Sequence, residues 1–142
     1  MILLDSDHLT ILTYPGSEQY IRLSDRMATS ADQAFATTIV NAEEQLRGWL
    51  AEINRYRTTH QQIPAYDGMQ IYLEFLREFP TMAFDAPAAD EFDRLRRMKV
   101  RIGSMDLKIA SIALVHNVLL LSANLRDFQQ VPGLRVENWL KE

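Results

Sequence analysis

The chain has 142 residues, of which 47% are hydrophobic and 24% charged, a composition typical of one folded domain that excludes a disordered chain. It has no cysteine, which excludes disulfide frameworks, thiolate zinc sites, iron–sulfur clusters and a cysteine nucleophile. No apolar run approaches the ~20 residues that cross a bilayer, and the start lacks a signal-peptide pattern. We therefore expect a cytoplasmic protein with a single domain over residues 1–142.

The formal net charge of −4 is unevenly distributed along the chain. Residues 1–93 carry 15 acidic and 6 basic residues, a balance of −9, whereas residues 94–142 carry 4 acidic and 9 basic residues, a balance of +5. A polyanionic ligand is repelled by the first part and attracted by the second. The alternative is a chance asymmetry between solvated faces, and composition alone does not choose.

The first half of the chain predicts alternating strands and helices. The apolar residues 2–4 are too few for a buried helix and indicate a central parallel strand that ends at Asp5. A short helix follows, and a second helix is expected over residues 17–27. The β-branched and aromatic residues 35–40 predict a second strand, and apolar side chains at helical spacing over residues 46–56 predict a long helix.

The second half continues this alternation. Residues 57–64 are expected to form a polar loop closed by Pro64, and the amphipathic helix that follows forms an antiparallel hairpin with the preceding one. The remaining elements are a strand over residues 81–84, a helix with Pro87 in its first turn, a helix after Gly103, and strands over residues 118–121 and 134–136. The pattern predicts a three-layer α/β/α sandwich with a parallel sheet of four or five strands and the first strand in its centre.

Acidic and amide side chains lie at the predicted carboxyl ends of the strands, which is where ligands bind in such sheets. Six residues occupy these places: Asp5, Glu43, Glu44, Asp106, Asn124 and Asp127. Each alone is explained as a solvated residue that suits a helix dipole. Capping does not require that all of them converge on one edge of one sheet, so we interpret them as one site.

A cluster of carboxylates repels itself, and a divalent cation relieves that repulsion. Oxygen ligands favour a hard ion, so the pattern favours Mg²⁺ or Mn²⁺ over zinc. Such an ion polarises a phosphate and lowers the pKa of bound water. Because Mg²⁺ held by a few carboxylates is the usual arrangement for phosphoryl chemistry, we expect the site to act on a phosphate group.

A basic cluster precedes Asp106 and consists of Arg94, Arg96, Arg97, Lys99 and Arg101. These side chains can hold a nucleic-acid backbone near the metal. The alternative is a solvated helix face whose charge is balanced by Asp90, Glu91 and Asp93. The sequence favours the two interpretations equally.

Four segments carry motifs of one family: a strand followed by Asp at residues 2–7, an Ile-Gly-x-x-Asp-x-x-Ile-Ala pattern at 102–110, an Asn-x-x-Asp-Phe turn within 119–128, and the end segment 131–139. Together they resemble the PIN-domain ribonucleases, and specifically the VapC toxins of bacterial toxin–antitoxin pairs. The resemblance covers both ends of the chain, and residues 50–90 carry little of it.

The resemblance implies a magnesium- or manganese-dependent endoribonuclease with an α/β/α fold that forms a homodimer and is blocked by a cognate antitoxin. It assigns the acids of the metal site to Asp5, Asp106, and Glu43 or Glu44. It assigns a fourth place to Asn124 or Asp127 and a hydroxyl position to Ser122. Asp7, which stands where the family usually has Asn, remains a second choice together with Glu44 and Ser122.

The choice between Glu43 and Glu44 depends on two opposing signals. Gly48 lies four residues after Glu44, as a glycine usually does after the family's Glu, and this favours Glu44. The register from the strand end and the apolar face through Leu46 and Leu50 favour Glu43. We prefer Glu43 and keep Glu44 open.

Two other functions fit part of the pattern. Asp5-Ser6-Asp7 also resembles the start of haloacid-dehalogenase-type phosphatases, in which the first Asp is the nucleophile, although Leu9 departs from that motif. A non-catalytic partner-binding module, whose acids only cap helices, is the third possibility. A magnesium titration separates them, because a binding module predicts no effect of metal.

Several side chains are interpreted without a catalytic role. His8 is expected to be a surface histidine, and Trp49 and Trp139 are expected to be packing residues. An apolar surplus in the first part of the chain supports the homodimer. Its members are Leu9, Leu12, Tyr14, Trp49, Tyr72 and Phe75.

Overall fold

The computed structural model describes residues 1–141, so Glu142, the last residue of the predicted 1–142 domain, lies outside the description. A five-stranded parallel sheet has the strand order β3-β2-β1-β4-β5. The strands are β1 (Ile2–Leu4), β2 (Phe35–Thr38), β3 (Thr81–Met82), β4 (Leu119–Leu121) and β5 (Val136–Glu137). The helices are α1 (Ser6–Leu12), α2 (Glu18–Thr29), α3 (Ile39–Arg55), α4 (Thr59–Leu76), α5 (Ala86–Arg97), α6 (Ser104–His116) and α7 (Leu125–Phe128). The predicted parallel α/β/α class is confirmed.

β1 occupies the centre of the sheet, as predicted. Its side chains pack into two apolar cores, one on each face of the sheet. Leu3 belongs to the apolar core on the side of α5 and α6, whereas Ile2 and Leu4 belong to the core that contains Leu9 of α1 and Leu23 of α2. Alternation along a strand sends successive side chains to opposite faces, so a fully apolar strand is covered on both.

The chain winds to one side of β1 through β2 and β3, and then to the other side through β4 and β5. The gap between the carboxyl ends of β1 and β4 is therefore a topological switch point, where ligands bind in sheets of this kind. Leu4 is in register with Leu121 across this gap, and the backbone N–H of Asp5 donates to the carbonyl of Leu121 at 2.9 Å. The residues that follow both strands are thereby brought together.

The second strand ends two residues earlier than the sequence predicts. The Thr38 side chain accepts a hydrogen bond from the backbone N–H of Asn41 at 3.1 Å and so caps α3. Ile39 and Val40 therefore belong to the first turn of α3. The change of register affects which of the following side chains face the switch point.

The predicted loop closed by Pro64 is wrong, because α4 begins at Thr59 and contains Pro64. Thr58 caps this helix by accepting from the N–H of Gln61 at 3.3 Å. The expected hairpin of α3 and α4 is present, and its close approach depends on Gly68. A Cβ atom at Gly68 would lie 2.3 Å from the ring of Trp49, closer than a side chain tolerates.

α6 is the most deeply buried helix and presents Asp106 in its first turn. Its apolar residues pack in the core on the side of α5, which fixes the position of its N-terminal end. Within residues 1–141, no helix combines the length and the apolar character needed to cross a membrane.

Candidate active site

Asp5 follows β1 directly and is only 7% exposed. Its Oδ1 accepts hydrogen bonds from the backbone N–H of Ser6 at 2.9 Å and from Nδ2 of Asn41 at 2.7 Å, and its Oδ2 accepts from Oγ of Ser122 at 2.7 Å. Burial, and then the negative charge of Asp7, raise the pKa of Asp5 to about 6. The three donors are neutral, so they orient the carboxylate without cancelling its charge.

Asn41 is a site residue that the sequence analysis missed. It is fully buried in the first turn of α3, and its Nδ2 also donates to Oγ of Ser6 at 3.0 Å. Its Oδ1 accepts from Oγ1 of Thr38 at 2.6 Å. Both ends of the amide are therefore fixed. The spacing of Thr38, Asn41 and Glu44, three residues apart, was the available signal, since this spacing places side chains on one side of a helix.

Glu43 and Glu44 have different surroundings in the structure. After burial, the negative charge of Glu44 is the next cause that raises the pKa of Asp106, so Glu44 is close enough to act on that carboxylate. Glu43 instead pairs with Arg47 on the outer side of α3, with 2.7 Å between Oε2 and Nη2. The cause is the early start of α3, because Glu44 lies three residues after Asn41 and Glu43 lies about 100° around the helix from Glu44.

Asn124 forms hydrogen bonds with the two remaining acids of the site, Asp106 and Asp127. Its Nδ2 donates to Oδ2 of Asp106 and to Oδ2 of Asp127, both at 3.1 Å. Its backbone N–H donates to Oγ of Ser122 at 3.0 Å, which connects this turn to Asp5. Burial first, and then the charge of Glu44, raise the pKa of Asp106 above its usual value. Both candidates for the fourth place thus lie beside Asp106.

Asp7 is held by the side chain of its neighbour His8 and by a backbone group from a distant part of the chain. Its Oδ2 accepts from the backbone N–H of Ala123 at 2.9 Å, and its Oδ1 lies 2.6 Å from Nδ1 of His8. His8 is fully buried, so the interpretation as a surface histidine is wrong. Its Nε2 accepts from the backbone N–H of Trp139 at 3.1 Å, and the ring proton therefore sits on Nδ1 and is donated to Asp7.

We call five carboxylates at the switch point the acid cluster: Asp5, Asp7, Glu44, Asp106 and Asp127. Among residues 1–141, no Lys or Arg forms an ion pair with any of them. The charges of Glu44, Asp127 and Asp7 all act on Asp106, so the cluster is self-repelling.

The donor set suits a hard cation. No three His, Cys, Asp or Glu side chains of residues 1–141 already stand together as a metal-binding group. The cluster nevertheless offers only carboxylate oxygens, with amide and hydroxyl oxygens beside them, and its mutual repulsion is what a divalent cation relieves. In chemistry, though not in spacing, these side chains therefore resemble the ligands of a hard divalent cation.

The basic stretch divides into two parts. Arg96, Lys99 and Arg101 line an open groove of about 620 Å³ that Asp127 also borders, and we call it the basic groove. Arg94 lies outside it, where its Nε donates to the two carboxylate oxygens of Glu91 at 3.1 and 3.0 Å. Arg97 is exposed on the same helix and does not line the groove.

The sheet order and the parallel pairing define a doubly covered α/β/α fold with acidic residues at its switch point. No family model matches the chain. It is 34% identical to Ribonuclease VapC2 of Rickettsia felis over 71 residues, covering 47% of this chain and 53% of that protein. It is 29% identical to the tRNA(fMet)-specific endonuclease VapC of Salmonella typhimurium over 69 residues, covering 46% of this chain and 52% of that protein.

The chain spans about half the length of the curated relatives it matches. The fold is similar over nearly the whole chain to a chain in the crystal structure of VapBC2 from Rickettsia felis bound to a DNA fragment from their promoter. The TM-score is 0.68 at 23% identity, with 98% of this chain and 99% of that chain covered. The predicted resemblance to VapC proteins is confirmed, and with it the PIN-like fold.

Proposed function

We propose that the protein is a divalent-cation-dependent endoribonuclease and the toxin of a toxin–antitoxin pair. The observation that supports this proposal is the acid cluster, which gathers five carboxylates with no lysine or arginine paired to them among residues 1–141. The similarity to proteins named ribonuclease and tRNA-specific endonuclease supports RNA as the substrate. An RNA substrate also supports the cytoplasm as the place of action.

In this proposal Asp5, Asp106 and Glu44 hold Mg²⁺ or Mn²⁺, and Asn124 and Asp127 complete the site. When bound, such a cation supplies Lewis acidity for the hydrolysis of a phosphodiester and activates water. No side chain of the site is needed as a nucleophile.

The remaining polar residues orient these ligands. Ser122 and Asn41 each hold one oxygen of Asp5, which keeps the carboxylate from rotating. Asn124 fixes the separation of Asp106 and Asp127 through one amide nitrogen. This preorganisation lowers the cost of arranging charged ligands when the cation binds.

We propose a homodimer and a protein antitoxin as the assembly partners. Of the apolar residues expected to be in surplus, Leu9 and Tyr72 belong to the interior, whereas Tyr14 is exposed. Other exposed apolar side chains lie on α2, α3 and α4: Ile21, Leu50, Ile63, Tyr66 and Ile71. An arginine from the antitoxin can pair with two carboxylate oxygens of the acid cluster.

The nuclease activity is tested by incubating end-labelled RNA, including a tRNA, with purified protein in Mg²⁺, Mn²⁺ or EDTA. We expect cleavage with either cation, none in EDTA, and products with a 5′-phosphate. Asp67→Asn is the matched control for Asp106→Asn, because it removes the same charge from an exposed position on α4. Cleavage that survives both EDTA and Asp106→Asn would refute the proposal. Sedimentation that shows only a monomer at micromolar concentration would refute the homodimer.

A further inference from the structure

The basic groove lies against the acid cluster, and Asp127 belongs to both. We propose that Arg96, Lys99 and Arg101 bind backbone phosphates of the RNA next to the phosphodiester that is cleaved. This inference rests on the proposed function and deepens it, because it assigns the residues that position the substrate.

The three basic side chains of the groove are available to bind an anion. Among residues 1–141, none of the three forms an ion pair. By contrast, Arg94 of α5 forms an ion pair with Glu91. The guanidinium of Arg96 lies 4.9 Å from the ring centre of Phe92, which limits its movement. The groove is therefore a concentrated and partly ordered positive surface.

The backbone at Lys99 gives a second, independent observation. Lys99 follows the last turn of α5 with a φ of 63°. Its N–H donates to the carbonyl of Arg96 at 3.0 Å, and the N–H of Val100 donates to the carbonyl of Leu95 at 3.2 Å. These two bonds form a Schellman motif, in which glycine is preferred at the position of Lys99 because a Cβ atom is crowded there.

The stability of the backbone does not explain why this strained position is a lysine. Glycine would adopt the same conformation without crowding, so stability alone favours glycine. A side chain held in a sparsely populated backbone region points to a function for that side chain. Because Lys99 lines the basic groove, we assign this function to the charge of its side chain.

The acid cluster explains why such cations are required. Its five carboxylates repel the phosphates of an approaching RNA, and the net charge of residues 1–93 is negative as well. At physiological ionic strength the charge of a distant lysine or arginine is screened beyond about 8 Å. Compensating cations must therefore border the cluster, and the basic groove does so at Asp127.

Binding can be measured apart from cleavage in the Asp106→Asn background. A short fluorescein-labelled single-stranded RNA is titrated at several salt concentrations and followed by anisotropy. Each lost phosphate contact lowers the slope of log affinity against log salt by about 0.7 for a single strand. We expect this change for Lys99→Gly and for Arg101→Gln. Arg57→Gln, which removes the same charge from an exposed site after α3, should keep the slope and the affinity.

Lys99→Gly also separates binding from folding. We expect its melting temperature to equal or exceed that of the parent protein while its RNA affinity falls. In the otherwise unchanged enzyme, Lys99→Gly should raise KM and retain kcat. A lower melting temperature would make Lys99 a structural residue and overturn the argument from strain.

The remaining outcomes keep the two proposals distinct. If Lys99→Gly and Arg101→Gln behave like Arg57→Gln while the parent protein cleaves RNA, the groove assignment fails alone. If the slopes change as expected but no cleavage occurs with Mg²⁺ or Mn²⁺, the groove assignment stands and the nuclease proposal fails. If a glutamate-rich peptide of equal charge competes as well as RNA does, the groove binds acidic protein and the RNA assignment is overturned.

Discussion

Oγ of Ser122 donates a hydrogen bond to Oδ2 of Asp5 at 2.7 Å, although the two residues are 117 positions apart in the chain. The bond spans the switch point between β1 and β4. The same hydroxyl oxygen accepts a hydrogen bond from the backbone N–H of Asn124. One buried hydroxyl thus links the carboxylate after β1 to the turn that approaches Asp106. The acid cluster is arranged by this bond as much as by the sheet.

Replacing Asp106 by Asn should abolish most of the cleavage without harming the fold. The change keeps the shape and removes one charge, and a metal centre contributes several kcal/mol to a transition state of this kind. The loss in rate should therefore be orders of magnitude. Without metal, the free energy of unfolding should stay level or rise, because repulsion from Glu44 is relieved. Parallel cleavage and melting measurements test both; a large loss of stability in EDTA would show that Asp106 is a structural cap.

In EDTA the protein should lose stability as the pH rises from about 4 to about 6. The pKa of Asp5 is about 6 in the folded chain against 3.8 as its ordinary value, so the folded state binds more protons in this range. Stability falls with rising pH wherever the folded state holds the extra proton, here by roughly 3 kcal/mol in total. Urea unfolding at a series of pH values measures this.

Asp5→Asn is the matching test of that pH dependence. The amide keeps the carbonyl that accepts from Asn41, and Ser122 can accept from its nitrogen. The variant should unfold with a flatter pH profile and be more stable than the parent near neutral pH in EDTA. A profile that stays as steep would assign the effect to another group.

Glu44→Gln should lower cleavage and the apparent affinity for Mg²⁺, whereas Glu43→Gln should change neither by more than a few-fold. Glu44 acts on Asp106, while Glu43 forms an exposed pair with Arg47 that contributes about 0.5 kcal/mol or less to stability. The two variants differ by one position and remove the same charge. Cleavage titrated with Mg²⁺ compares them, and equal loss in both would contradict the assignment.

Adding Mg²⁺ should raise the melting temperature, and more so near neutral pH than near pH 4. Binding to the folded state alone stabilises it in proportion to the logarithm of free cation over its dissociation constant. Protonation of Asp5 at low pH weakens the site, since its pKa is raised to about 6. Thermal melts across a Mg²⁺ series check this, and a shift retained in Asp106→Asn would place the cation elsewhere.

The sequence is enough to predict that Asp5 and Asp106 lie at one edge of the sheet, because Asp5 follows β1 and the helix that leads into a parallel strand begins at the edge where that strand ends. The choice between Glu43 and Glu44 needs the first residue of α3, which depends on whether Thr38 caps the helix or extends the strand. His8 and Asn41 could not be assigned, since their burial depends on partners far away in the chain, such as Trp139 and Asp5. Local patterns carry no information on such contacts.

The pairing of β1 with β4 has a consequence for how activity develops during folding. Residues 2–4 find their partners at residues 119–121, so the centre of the sheet forms only after a long stretch of chain has closed into a loop. Helices α3 and α4 are local and can gain structure earlier. A refolding chain should therefore recover its helical circular dichroism before Asp5 and Ser122 come together at the switch point.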